Sequence, residues 1–64
     1  MKPPRVSAAE FRRVRKTLDF SQVEAGAILG YDGRTIQRWE SGETKTVRRA
    51  MVDQLREAAK KRGA

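Results

Sequence analysis

Between Ser21 and Gly42 the chain carries two helix-delimiting signals back to back, and no other stretch restricts the fold as much. Ser21 can accept a hydrogen bond from the amide of Glu24 while the Glu24 carboxylate reaches back to the amide of Ser21, so Ser-x-x-Glu sets a helix start. Gly30 ends that helix, because a residue without Cβ can take the left-handed conformation that closes the last turn. Asp32 then caps a second helix, and Gly42 ends it in the same way. The result is two short helices joined by a tight turn. The second sends Ile36 and Trp39, with Tyr31 beside them, toward a core and shows Arg34, Gln37 and Arg38 on its other face.

A helix of about three turns fits the major groove of B-form DNA, and long donor side chains near its N-terminus can reach base edges there. Arg34 and Arg38, one turn apart, share a face suited to that task. An Arg bidentate to guanine O6 and N7 discriminates by about 1–3 kcal/mol; the plain alternative is a solvated basic face. Gln37 could read a base or touch a phosphate.

Ser21-Gln22, Leu29-Gly30, Thr35-Ile36 and Trp39-Glu40-x-Gly42 resemble the helix-turn-helix signature of the Cro and phage-repressor family, also called the xenobiotic-response-element type. The similarity continues upstream through Arg15, Leu18 and Phe20, so it covers residues 11–42. It implies an all-α fold: a compact four-helix domain of the phage-repressor type with a long C-terminal helix and a recognition helix over 33–41. It also implies that Gln22 donates to a DNA phosphate and buttresses the recognition helix, and that Thr35 approaches a phosphate or a thymine methyl. Arg15 and Glu40 match the positions of an ion pair tying the first helix to the recognition helix. Two departures stand out. Ala25-Gly26 replaces the usual Leu-Ala of the first motif helix; small residues there still permit the close helix crossing, at about 1 kcal/mol of helix propensity for the Gly. Gly33 occupies the first recognition position, which removes one base contact and throws the readout onto Arg34 and Arg38.

A chain of 64 residues accommodates one small domain, 1–64, with a single compact core. It has neither Cys nor His, so no zinc set, metal site or cofactor is expected. No catalytic residue is assigned, and an enzyme is not expected: the carboxylates are taken up by caps and one structural pair. No apolar run approaches the length of a membrane span, and the N-terminus lacks the apolar stretch of a signal peptide. A soluble cytoplasmic protein, nucleoid-associated when on DNA, is the expectation. Fifteen Lys and Arg against eight Asp and Glu give a net charge of +7, which points to a polyanionic partner without choosing among DNA, RNA and an anionic membrane. Glu10, Asp19, Glu24 and Asp32 lie at or near helix N-termini, where they favour the helix dipole and leave the outer surface basic.

Flanking the motif, residues 1–6 form a flexible arm, either a disordered end or a basic arm touching phosphate. Ser7-Ala8-Ala9-Glu10 repeats the capping box and opens a helix from Ala8 to Leu18. Ala8, Phe11, Val14, Arg15 and Leu18 form its buried face. A guanidinium on that face needs a carboxylate. In the loop after the motif, Thr44 and Lys45 suit a phosphate clamp, although Glu43 opposes it. Thr46 caps a last helix within 46–62. The apolar positions of that helix span roughly 200°, wider than the stripe of about 100° that one core requires. The surplus, centred on Val52, Leu55 and Ala59, suits a symmetric contact with a second copy, unless these are scattered surface residues.

The leading expectation is a sequence-specific regulator of double-stranded DNA, a homodimeric repressor on an inverted repeat whose half-sites lie about 34 Å apart. The resemblance adds promoter occupancy and a setting in a phage or mobile-element operon; no small-molecule effector is expected. The alternatives are a DNA-binding antitoxin or protein-binding module using the final helix, and a charge-only binder of RNA or membrane surfaces.

Overall fold

The computed structural model describes residues 4–63. In chain order they form β1 (Arg5–Ser7), α1 (Ala8–Thr17), α2 (Gln22–Leu29), α3 (Gly33–Glu40), β2 (Thr46–Arg48) and α4 (Arg49–Gly63). The described residues are thus mostly helical, with four helices as expected. Among the described residues no helix is long and apolar enough to cross a membrane.

Local chemistry sets the helix ends. The full capping box forms at Ser21: its hydroxyl accepts from the Glu24 amide at 3.0 Å, and the Ser21 amide donates to the Glu24 carboxylate at 3.0 Å. At Ser7 the hydroxyl accepts from the Glu10 amide at 3.1 Å. Gly30 closes α2 at φ 86°. Asp32 caps α3 through Oδ1, which accepts from the Thr35 amide at 2.8 Å and from the Thr35 hydroxyl at 2.6 Å. Beyond α3, Gly42 turns the chain at φ 99°. Helix α1 ends at the expected Leu18, its C-cap, but the device that ends it was not foreseen: Asp19 takes the left-handed region at φ 62°. There its amide donates to Lys16 O at 3.0 Å and the Phe20 amide to Arg15 O at 3.1 Å. This is a Schellman closure that places Phe20 in the core.

Phe11, Phe20, Ala25, Ile36, Val47, Val52 and Leu55 make up that core. Trp39 packs against it between two aromatic neighbours, edge-on to Phe11 at 5.7 Å and to Tyr31 at 5.0 Å. Such pairs add about 0.5–1.5 kcal/mol beyond area burial.

Three expectations change. Beside its four helices the mostly helical fold carries a two-stranded antiparallel ribbon, β1 against β2, with Arg5 opposite Arg48, Val6 opposite Val47 and Ser7 opposite Thr46. Of the expected flexible arm, residues 1–3 lie outside the described residues, while Arg5 and Val6 belong to this ribbon. Thr46 is consequently a strand residue, its hydroxyl accepting from Arg5 Nη1 at 3.3 Å, and α4 starts three residues later than its supposed cap. The third change concerns Val52, Leu55 and Ala59. Val52 is 4% exposed and Leu55 fully buried, and Ala59 is half-buried against the core. Helix α4 packs on α1, α2 and β2 together, so the part of its apolar arc centred on these residues is taken up inside the chain and the symmetric contact is withdrawn. Near its C-terminus Arg62 completes the docking, with Nη2 donating to Leu18 O at 2.6 Å and its guanidinium 4.4 Å from the Phe20 ring centroid.

Candidate nucleic-acid interface

Helix α3 has one buried edge and one free one. Ile36 is fully buried and Trp39 half-buried, whereas Arg34, Gln37 and Arg38 are exposed on the outward side. Ile36 and Trp39 anchor the helix, so the orientation of the two guanidinium stems follows from the core and not from the flexible side chains themselves. Arg38 Nε lies 3.9 Å from the Glu43 carboxylate, and both side chains are more than half exposed. A pair so open to solvent contributes little and can be exchanged for a phosphate or a base edge.

The C-terminal end of α3 is fixed by the ion pair that the resemblance implied. Arg15 Nε and Nη2 donate to the two oxygens of Glu40 at 2.6 and 2.8 Å, and Nη1 donates to Phe20 O at 2.8 Å. Both side chains are nearly buried, at 9% and 5% exposure. Gln22, in the first turn of α2, donates through Nε2 to Glu40 Oε1 at 3.3 Å. It buttresses the C-terminal end of α3 and retains a second amide hydrogen for an outside acceptor. Arg12 adds a longer contact, Nε at 4.0 Å from Glu40 Oε1, with its own side chain 56% exposed. One carboxylate therefore gathers groups from α1 and α2 beneath the end of α3.

Of the two parts expected of Thr35, phosphate contact and thymine-methyl contact, the structure bears on the first. The Thr35 hydroxyl donates to Asp32 Oδ1 at 2.6 Å, so its single hydroxyl donor closes the cap and is not free for a phosphate. Of the clamp residues, Lys45 is exposed and Thr44 half-buried in the loop between α3 and β2, where Glu43 is also exposed. Two further residues carried no functional reading in the sequence. Gly26 is buried where α2 meets the turn: a Cβ there would lie 2.6 Å from Tyr31 O and 2.9 Å from the Asp32 carbonyl carbon. Val23 is 70% exposed beside the start of α3. A small residue facing a turn is a recognisable cue for the first, and an apolar residue in the first turn of a capped helix for the second.

The caps make the motif sensitive to acid. Hydrogen bonds from the backbone and side chain of Ser21 lower the pKa of Glu24. Those from the Thr35 side chain and amide lower that of Asp32, with a smaller contribution from the positive charges of Arg34 and Arg38. A carboxylate with a depressed folded-state pKa contributes stability above its unfolded pKa and loses it as pH falls through the folded one. The melting temperature is expected to fall on acidification below the ordinary carboxylate range. Asp32→Asn, which keeps the capping oxygen without the titrating charge, should flatten part of that fall; a curve identical to the parent's would remove Asp32 from the account.

Among the described residues no group of three or more acidic, His or Cys side chains is arranged to hold a metal ion. No family model, curated protein or solved structure matches the chain.

Proposed function

We propose that this chain is a sequence-specific double-stranded DNA-binding regulator that places α3 in the major groove. The observation carrying the proposal is the division of α3 itself: its Ile36 and Trp39 side is locked to the core while Arg34, Gln37 and Arg38 face outward from the same two turns. Long donors held on a short anchored helix meet the geometric demand of base readout. The net charge of +7 supplies the sequence-independent attraction to phosphate. Gln22 and Lys45 are assigned to phosphates flanking the groove, since such contacts set register without reading sequence. Regulation follows from occupancy of a promoter. The number of domains per operator is reported by the symmetry of the sequence it prefers, an inverted repeat indicating a pair.

Competition on a duplex selected from a random pool tests this reading. Specific affinity should exceed that for scrambled duplex by about 10³ or more. Arg38→Ala is expected to cost about 1–3 kcal/mol and to relax preference at one base pair per half-site. Uniform weakening across all sequences would make Arg38 a phosphate contact, and equal affinity for specific and scrambled duplex would reject the proposal.

A further inference from the structure

The first position of α3 is bare because Gly33 stands there, and the neighbouring space belongs to α2. A Cβ at Gly33 would lie 2.9 Å from Val23 Cγ2 and 3.3 Å from Val23 Cα. Val23 thus occupies the place from which a side chain at position 33 would extend. Among the described residues, the exposed large apolar side chains are Val23 at 70% and Tyr31 at 43%. Tyr31 has its ring edge-on to Trp39, whereas Val23 belongs neither to the core nor to the residues packed against it. A branched hydrocarbon left open beside Gly33, the residue before Arg34, on a surface otherwise rich in charge is consistent with an apolar counterpart. In the major groove the apolar feature of a base pair is the C5-methyl group of thymine.

Resting on the DNA-binding reading, we infer that Val23 is a specificity-determining residue that packs its methyl groups on a thymine C5-methyl at the edge of the sequence read by Arg34. Glycine at position 33 is part of the device, since any side chain there would displace Val23. The close approach of α2 and α3 thereby hands one base position from the recognition helix to the helix before it.

The test replaces each thymine of the selected duplex, one at a time, by deoxyuridine, which removes only the methyl group. For the parent protein one thymine per half-site is expected to lose about fourfold in affinity, the value of one buried methyl-sized group. Val23→Ser should bind the thymine and deoxyuridine duplexes equally, while Val23→Ile should keep the parent's discrimination. Unchanged thermal melting of Val23→Ser confirms that the comparison is between folded proteins, as the exposure of the site leads one to expect. If no thymine responds, or if Val23→Ser discriminates as the parent does, the assignment of Val23 is overturned while specific binding stands. Failure to enrich any duplex would instead overturn the DNA-binding reading, and this inference with it.

Discussion

Glu40→Ala is expected to destabilise the domain by about 3–5 kcal/mol, the cost of leaving a buried charge without its partner. With stabilities of about 0.05–0.15 kcal/mol per residue, a chain this short has little left after such a loss. The geometry explains the size. Arg15 presents three nitrogens inward, and two of them, Nε and Nη2, end on Glu40 at 2.6 and 2.8 Å. After truncation only Phe20 O, at 2.8 Å from Nη1, would remain to the guanidinium, and Gln22 would lose its acceptor as well. Replacing both members of the pair separates charge burial from packing. Arg15→Met combined with Glu40→Leu should recover most of the loss, because an apolar pair of similar volume avoids the desolvation penalty. Denaturant melts of the single and double variants measure this. An unchanged midpoint for Glu40→Ala, or a double variant as weak as the single, would contradict the account of the pair.

Gly26→Ala sets two effects of opposite sign against each other. Helix propensity favours Ala by about 1 kcal/mol at an interior position. The added Cβ, however, would meet backbone atoms: Tyr31 O at 2.6 Å and the Asp32 carbonyl carbon and oxygen at 2.9 and 3.0 Å. Backbone in a turn cannot rotate aside as a side chain can, and the same carbonyl chain leads into the cap of α3. The clash therefore wins, with an expected net loss of about 2 kcal/mol, the upper end of overpacking costs less the propensity gain. A thermal melt at or above the parent's midpoint would show that propensity governs the site and that the turn can yield.

The parts of the fold that were readable in the sequence are those set by local bonding. Ser21, Gly30 and Asp32 sit at helix boundaries because their side chains, or the lack of one, act within three or four residues. Arg15 announced a buried carboxylate partner by its position on an apolar face, and the family resemblance supplied Glu40. What could not be read depended on distant chain. The three-residue strands Arg5–Ser7 and Thr46–Arg48 are too short to display alternation, and each exists only because the other lies beside it. The arc of α4 looked too wide for one chain because its apolar positions were counted without the number of elements it touches. That a small residue at Gly26 permits a close approach was legible in the sequence, whereas the identity of the approaching atoms, carbonyls from across the turn, was not. At the candidate interface, Arg34, Gln37 and Arg38 were named from helical spacing. The commitment of the Thr35 hydroxyl to Asp32 and the exposure of Val23 beside Gly33 required coordinates.

The central claim is that the outward face of α3 is the surface that meets DNA. Amide chemical-shift mapping of the isotopically labelled protein, titrated with its selected duplex and then with a scrambled one at the same salt, tests it most directly. The largest changes are expected at Arg34, Thr35, Gln37 and Arg38, with smaller ones at Gln22 and Lys45, and the pattern on α3 should weaken with the scrambled duplex. Changes concentrated instead at Lys60, Lys61 and Arg62 of α4, and alike for both duplexes, would contradict the claim and leave a protein that binds by charge alone.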